Sequence, residues 1–113
     1  MEKDIFCRIA SGEIPADIVY EDDELVAFKD VRPQAPIHIL IVPRKHISKL
    51  DDATAEDAEL LGRLMLTAIK VARLIGIAES GYRVIANNGP DAGQEVYHIH
   101  FHVLGGRRLG PLG

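Results

Sequence analysis

The sequence has no tryptophan, three tyrosines and three phenylalanines, so its core must rest on Ile, Leu, Val and Ala. It has a single cysteine, Cys7, which excludes an intramolecular disulfide and fits a reducing compartment. It has no long apolar run. The longest runs, such as Ile39 to Val42, fall far short of the ~20 residues that span a bilayer. The start, Met1-Glu2-Lys3-Asp4, lacks the basic flank and apolar stretch of a secretory signal. The expectation is a soluble cytoplasmic protein without membrane contact. Positive charge is also short, with 13 Lys and Arg against 17 Asp and Glu and a net charge of −4. A protein that coats a nucleic-acid polymer is normally basic, so that class is set aside.

What is present fits one globular domain over residues 1–113: 47% hydrophobic and 27% charged, with no repeat, linker or low-complexity stretch. The charge is uneven. Residues 81–113 are the only net-positive third, with three Arg against Asp91 and Glu95, and they hold three of the five histidines.

Ile5, Phe6 and Ile9 have helical spacing, with Asp4 placed to cap and Gly12 to end the turn. Ile18–Tyr20 and Leu25–Phe28 flank the acidic run 21–24 and predict a hairpin with a solvated turn. His38–Val42 is β-rich and stops at Pro43. Thr54 and Asp57 form a capping-box pattern. After them Leu61, Leu64, Met65, Ala68, Ala72 and Ile75 share one face of a helix of about twenty residues that Gly76 ends. Tyr82–Asn87 and Val96–Leu104 read as further strands. The order ββ, β, α, ββ predicts an α+β fold, an antiparallel sheet packed by one long helix.

The residues that carry chemistry are His98-Ile99-His100-Phe101-His102. In a strand the three histidines share one face, and Ile99, Phe101 and Val103 enter the core from the other. Three readings are open. The face is merely polar; or the imidazoles bind zinc, with no carboxylate or Cys at ligand spacing beside them in the sequence; or they do phosphate chemistry. Neutral imidazole is a nucleophile near pH 7 and can form a covalent bond to phosphorus, while its neighbours hold its tautomer and protonate a leaving group. Gly93-Gln94 before the run and Gly105-Gly106 after it allow close approach of backbone to a phosphate. These flanks favour the third reading.

His98-Ile-His-Phe-His-Val-Leu104 resembles the His-φ-His-φ-His-φ-φ signature of the histidine-triad (HIT) superfamily. Ile5-Phe6-Cys7, Gly12-Glu13-Ile14-Pro15, Phe28-Lys29-Asp30, Pro33-Gln34-Ala35-Pro36, Pro43-Arg44-Lys45-His46-Ile47 and Gly105-Gly106 extend the likeness, which is closest to the Hint branch of nucleotide-binding proteins. The resemblance implies a five-stranded antiparallel sheet with a long helix and a short N-terminal one, and a homodimer joined into a ten-stranded sheet. It implies hydrolysis of the P–N bond of purine nucleoside phosphoramidates, such as AMP linked to a lysine amine, with no cofactor and no metal.

By the same resemblance, His100 is the nucleophile and His102 holds the phosphate and assists the leaving amine, with His98 and His38 supporting. Asp30 matches the ribose ligand, with Phe28 and Val31 near it. Ile5, Phe6 and Ile9 line the base. Asn87, Gly93, Gln94 and Glu95 lie along the phosphate side. Glu95 departs from the family pattern, because eukaryotic Hint proteins usually carry Ser there, and the tail lacks the Trp of animal Hint proteins. Two other functions stay open: a dinucleoside polyphosphate hydrolase, and a non-catalytic nucleotide-binding regulator. Outside the run, Cys7 reads as a small core residue and His46 as structural or capping.

Overall fold

A computed structural model describes residues 3–113; Met1 and Glu2 of the acidic start lie outside the described residues. The chain opens with a six-residue helix, α1 (Ile5–Ala10). Its cap is Asp4, in an extended conformation, whose side chain accepts the Cys7 amide at 2.7 Å. The hairpin follows as β1 (Ile18–Glu21) and β2 (Leu25–Lys29). Its acidic turn is organised by one side chain. Asp22 Oδ1 accepts the amides of Glu24 and Leu25 at 2.8 and 2.9 Å, and Oδ2 accepts the Tyr20 hydroxyl at 2.9 Å.

β3 (Ile37–Pro43) is buried along its length apart from Ile37. The capping box is present: Thr54 and Asp57 each satisfy the other's backbone amide in a short 3₁₀ turn that leads into α2 (Ala58–Ile75). Gly76 closes α2 at φ +90, a left-handed value that glycine adopts without steric cost. β4 (Tyr82–Ile85) and β5 (Phe101–Gly105) complete one antiparallel sheet in the order β1-β2-β3-β5-β4.

Strand alternation gives the sheet two unlike faces. Leu25, Ala27, Ile39, Ile41, Phe101 and Val103 pack under α2, against Leu64, Ala68, Val71 and Ala72. Val26, Phe28, Leu40 and Val42 face the other way and pack under α1, against Phe6, Ile9 and Ala10. By the same alternation His38 of β3 lies on the α1 side, as does His102, whose partner across the ladder is Leu40. The long helix therefore holds the sheet, and the short one stands beside the imidazoles. No helix among the described residues is long and apolar enough to cross a membrane.

Three expectations need correction. The last strand starts at Phe101 and not at Val96, so His98 and His100 precede it. The cause lies in the neighbouring strand: β3 ends on Pro43, which has no amide to continue the ladder toward residue 99. The backbone there is held instead by a bond from the Ile99 amide to the Ile47 carbonyl at 2.7 Å. The fourth strand likewise stops at Ile85, short of Asn87. The helix stripe is rotated: Thr67 and Val71 are buried, while Met65 is 45% exposed.

Candidate active site

The hydrogen bonds around the histidines assign their protons. The Gln34 amide can only donate, and it donates to His38 Nδ1 at 3.0 Å. Neutral His38 therefore carries its proton on Nε2, which lies 2.9 Å from His102 Nδ1 and 3.4 Å from Asp30 Oδ2. His102 Nδ1 accepts, so the His102 proton sits on Nε2. His100 has the opposite tautomer. Its Nδ1 lies 2.7 Å from the His98 carbonyl, which can only accept, so Nδ1 bears the proton and Nε2 a lone pair. The rings of His100 and His102 meet edge-to-face, with centroids 4.9 Å apart. The result is a bare nitrogen beside an N–H donor, the pair needed to attack a phosphorus and to protonate what leaves.

Neutrality is supported by the surroundings. Burial, foremost, pushes the His102 pKa from the ordinary 6.5 down to about 4, and repulsion from His100 and His38 adds to it. Burial also lowers His100 and His38; the Asp30 charge pulls both back only in part. A neutral imidazole is the form that attacks.

His98 is 0% exposed, and its side chain faces away from this pair. Nε2 donates to the Pro43 carbonyl at 2.7 Å. Nδ1 meets Asp4 Oδ2 at 3.1 Å, Cys7 Sγ at 3.3 Å and His46 Nδ1 at 3.3 Å. His46 Nδ1 also lies 3.0 Å from Asp4 Oδ2. Burial raises the Asp4 carboxyl, but the Cys7 amide and the His98 charge outweigh it and hold it below the usual carboxylate range. Burial, and then the Asp4 charge, pushes the Cys7 thiol up, so it stays protonated.

Cys7 is thus not a core residue, and a carboxylate and a thiol do stand beside His98, brought there by the fold. Asp4, Cys7, His46 and His98 each offer one atom, all within 4.8 Å of one another and close enough to share a cation; so do Asp30, His38 and His102.

The remaining candidates divide. Phe6 and Phe28 are buried with ring centroids 5.7 Å apart, and Phe6 meets the His100 ring edge-on at 4.9 Å. Ile9 is buried beside them, whereas Ile5 is 49% exposed. Val31 is 93% exposed on the loop after β2. Asp30 turns inward: Oδ1 accepts the Arg32 amide at 2.8 Å while Oδ2 faces His38. Gly93 has φ +83 and ends the turn Pro90–Ala92. Gln94 is buried with its amide fully used, Oε1 accepting the Gly89 amide and Nε2 donating to the Ser48 and Val96 carbonyls. Glu95 beside it is exposed and forms no ion pair among the described residues. Asn87 is half-buried two residues past β4. Sequence reasoning missed Gln34, whose amide sets the imidazole chain, and the role of Asp4 beyond capping. No spacing rule links residue 4 to residue 98.

Comparison with known proteins gives one answer. The chain is 54% identical over 111 residues to a purine nucleoside phosphoramidase of Escherichia coli (strain K12), covering 98% of this chain and 93% of that protein. The fold superposes on a HIT family hydrolase from Legionella pneumophila Philadelphia 1 with a TM-score of 0.92 and 51% identity, covering 94% of this chain and 95% of that one. It superposes on a histidine triad protein from Clostridium difficile with a TM-score of 0.95 and 44% identity over 100% of both chains. The family model for the HIT domain matches residues 11–109, and the chain belongs to that family.

Proposed function

We propose that this chain is a purine nucleoside phosphoramidase that cleaves the P–N bond of nucleoside 5′-phosphoramidates and works in the cytoplasm as a single-domain homodimer. The observation that carries the reading is the pair of opposite tautomers, a lone pair on His100 Nε2 beside an N–H on His102. His100 Nε2 attacks phosphorus. The P–N bond breaks, its electron pair stays on the leaving amine, and His102 Nε2–H supplies the proton that amine needs. The negative charge this leaves on His102 is balanced by the cationic ring of nucleotidyl-His100, which keeps its Nδ1 proton. Water then attacks the nucleotidyl-His100, gives a proton to His102 and frees a nucleoside monophosphate. The supporting pieces are the His98 carbonyl on His100 and the His38–Asp30 pair behind His102.

The exposed Ile5 and the buried Phe6, Ile9 and Phe28 make an apolar wall for a purine. Asp30 and Val31 flank the ribose, and Asn87 with the loop Gly93-Gln94-Glu95 flanks the phosphate. The role of Asp30 needs its carboxylate to exchange His38 for ribose hydroxyls. Neither step calls for a metal or cofactor. The dimer is supported by a sheet that ends at β1 and β4, and by Leu66 and Leu74 of α2, both more than half exposed.

The test is trapping with a labelled adenosine phosphoramidate, followed by mapping of the label. The expected site is His100, and the His100→Ala variant is expected to bind AMP yet lose turnover by at least a thousandfold. Label on another histidine, or wild-type turnover in the variant, overturns the mechanism. Faster cleavage of a diadenosine polyphosphate than of the phosphoramidate overturns the substrate class.

A further inference from the structure

The tautomer of the proposed nucleophile depends on where the carbonyl of residue 98 sits. That segment has no strand ladder, since β5 starts only at Phe101. Besides the Ile99 amide on the Ile47 carbonyl, what fixes residue 98 is its own ring, and Asp4 holds that ring from the side opposite Pro43. Nε2–H is committed to the Pro43 carbonyl at 2.7 Å, and the Asp4 carboxylate closes the Nδ1 side of the ring at 3.1 Å, so the ring is held from both ends. The other Asp4 oxygen caps α1 through the Cys7 amide. That helix carries Phe6, whose ring packs edge-on against both His98 and His100, at centroid distances of 6.1 and 4.9 Å. One carboxylate thus ties the helix of the proposed purine wall to the ring whose carbonyl orients His100.

We infer that Asp4 is a positioning residue: it touches no substrate, and it acts through His98 to keep the proton of His100 on Nδ1 and the lone pair on Nε2. The inference rests on the phosphoramidase reading for its effect on rate, but not for its effect on the tautomer. Displacing a reacting atom by about 1 Å can cost up to a hundredfold in rate. Loss of the Asp4 contact leaves the His98 carbonyl in place on average but less confined, so a loss of roughly tenfold is expected.

Capping alone can be separated from positioning. Ser and Thr cap a helix as well as Asp does but are one atom too short to hold His98. Asn keeps both contacts, its carbonyl on the Cys7 amide and its amide on a neutral His98. For Asp4→Ser and Asp4→Thr, kcat is expected to fall about tenfold with KM within twofold, and Asp4→Asn is expected to keep most of kcat. Nitrogen-15 spectra of histidine-labelled protein are expected to show His100 as the Nδ1–H form in wild type and Asp4→Asn, and as a tautomer mixture in the Ser and Thr variants.

Unchanged kcat and an unchanged His100 tautomer in Asp4→Ser would mean that Asp4 is only a helix cap, and would overturn the inference. So would failure of both capping variants to fold, which would place the whole role of Asp4 in stability. One equivalent of zinc in the purified wild-type protein, lost in Asp4→Ser, would make Asp4 a metal ligand and overturn it too. If wild type turns over no phosphoramidate, the parent reading fails while the tautomer spectra still decide on Asp4.

Discussion

Keeping His102 uncharged in the folded protein has a measurable consequence at low pH. The unfolded chain takes a proton on this side chain near the ordinary 6.5, whereas the folded protein does so only near 4. Between those values the unfolded state binds the extra proton, so acid favours unfolding. The sign follows: stability from this group is complete above pH 6.5 and is lost as pH falls from 6.5 to 4. A gap of about 2.5 units at ~1.36 kcal/mol per unit sets a ceiling of roughly 3.4 kcal/mol. The ring is partly exposed and its repulsion from His38 and His100 is partly screened, so about 1.5–2 kcal/mol is the working figure.

The assay is urea unfolding at pH 7.5, 6.5, 5.5 and 4.5 for wild type and for His102→Asn, which has no proton to gain. Wild type should lose about 1.5–2 kcal/mol more than the variant across the range, with equal m-values. Parallel pH curves for the two proteins would refute the reasoning, because His102 would then titrate alike folded and unfolded.

Two further outcomes follow from the same structure. Because burial lowers His100 and His102, phosphoramidate turnover should stay flat from pH 8 to 6.5 and decline only in more acid solution; a decline already centred near 6.5 or above would contradict a buried neutral nucleophile. Gly106→Ala should destabilise by roughly 2–3 kcal/mol, because Gly106 sits at φ +92 and an added Cβ would stand 2.9 Å from Pro36 Cβ. Thermal unfolding measures this, and a midpoint within about 2 °C of wild type would refute it.

The parts of the fold that the sequence made legible are those written in neighbouring residues. The Asp4 cap, the hairpin, the Thr54–Asp57 box and the Gly76 stop are each local, and each is present. The start of the last strand was not legible, because it is decided by the missing amide of Pro43, more than fifty residues away. The α2 stripe is turned from its expected face because Thr67 and Val71 are buried while Met65 is 45% exposed, an outcome set by how the helix docks on the sheet and not by hydrophobicity, since Thr is the more polar residue. The histidine run was legible as chemistry, since alternation and motif both mark it. Its surroundings were not: Gln34, Asp4, Cys7 and His46 have no periodic relation to it.

The early end of β3 also explains why three alternating histidines do different jobs. Had the strand run from Val96, all three rings would stand in one row on one face, equivalent in backbone and distinguished only by depth. With the ladder broken before Phe101, His102 stays in the sheet and takes its proton placement from His38, across the strand pair. His100 falls outside the ladder and takes its placement from the carbonyl two residues back, which a strand would have committed elsewhere or turned away. His98 turns its ring to Asp4 and the Pro43 carbonyl and meets His100 only through its own backbone carbonyl and the shared Phe6 ring. A proline one strand away thus converts a repeating motif into an acceptor, a donor and a support. Opposite tautomers on adjacent imidazoles, which the proposed reaction requires, arise from that asymmetry and not from the repeat itself.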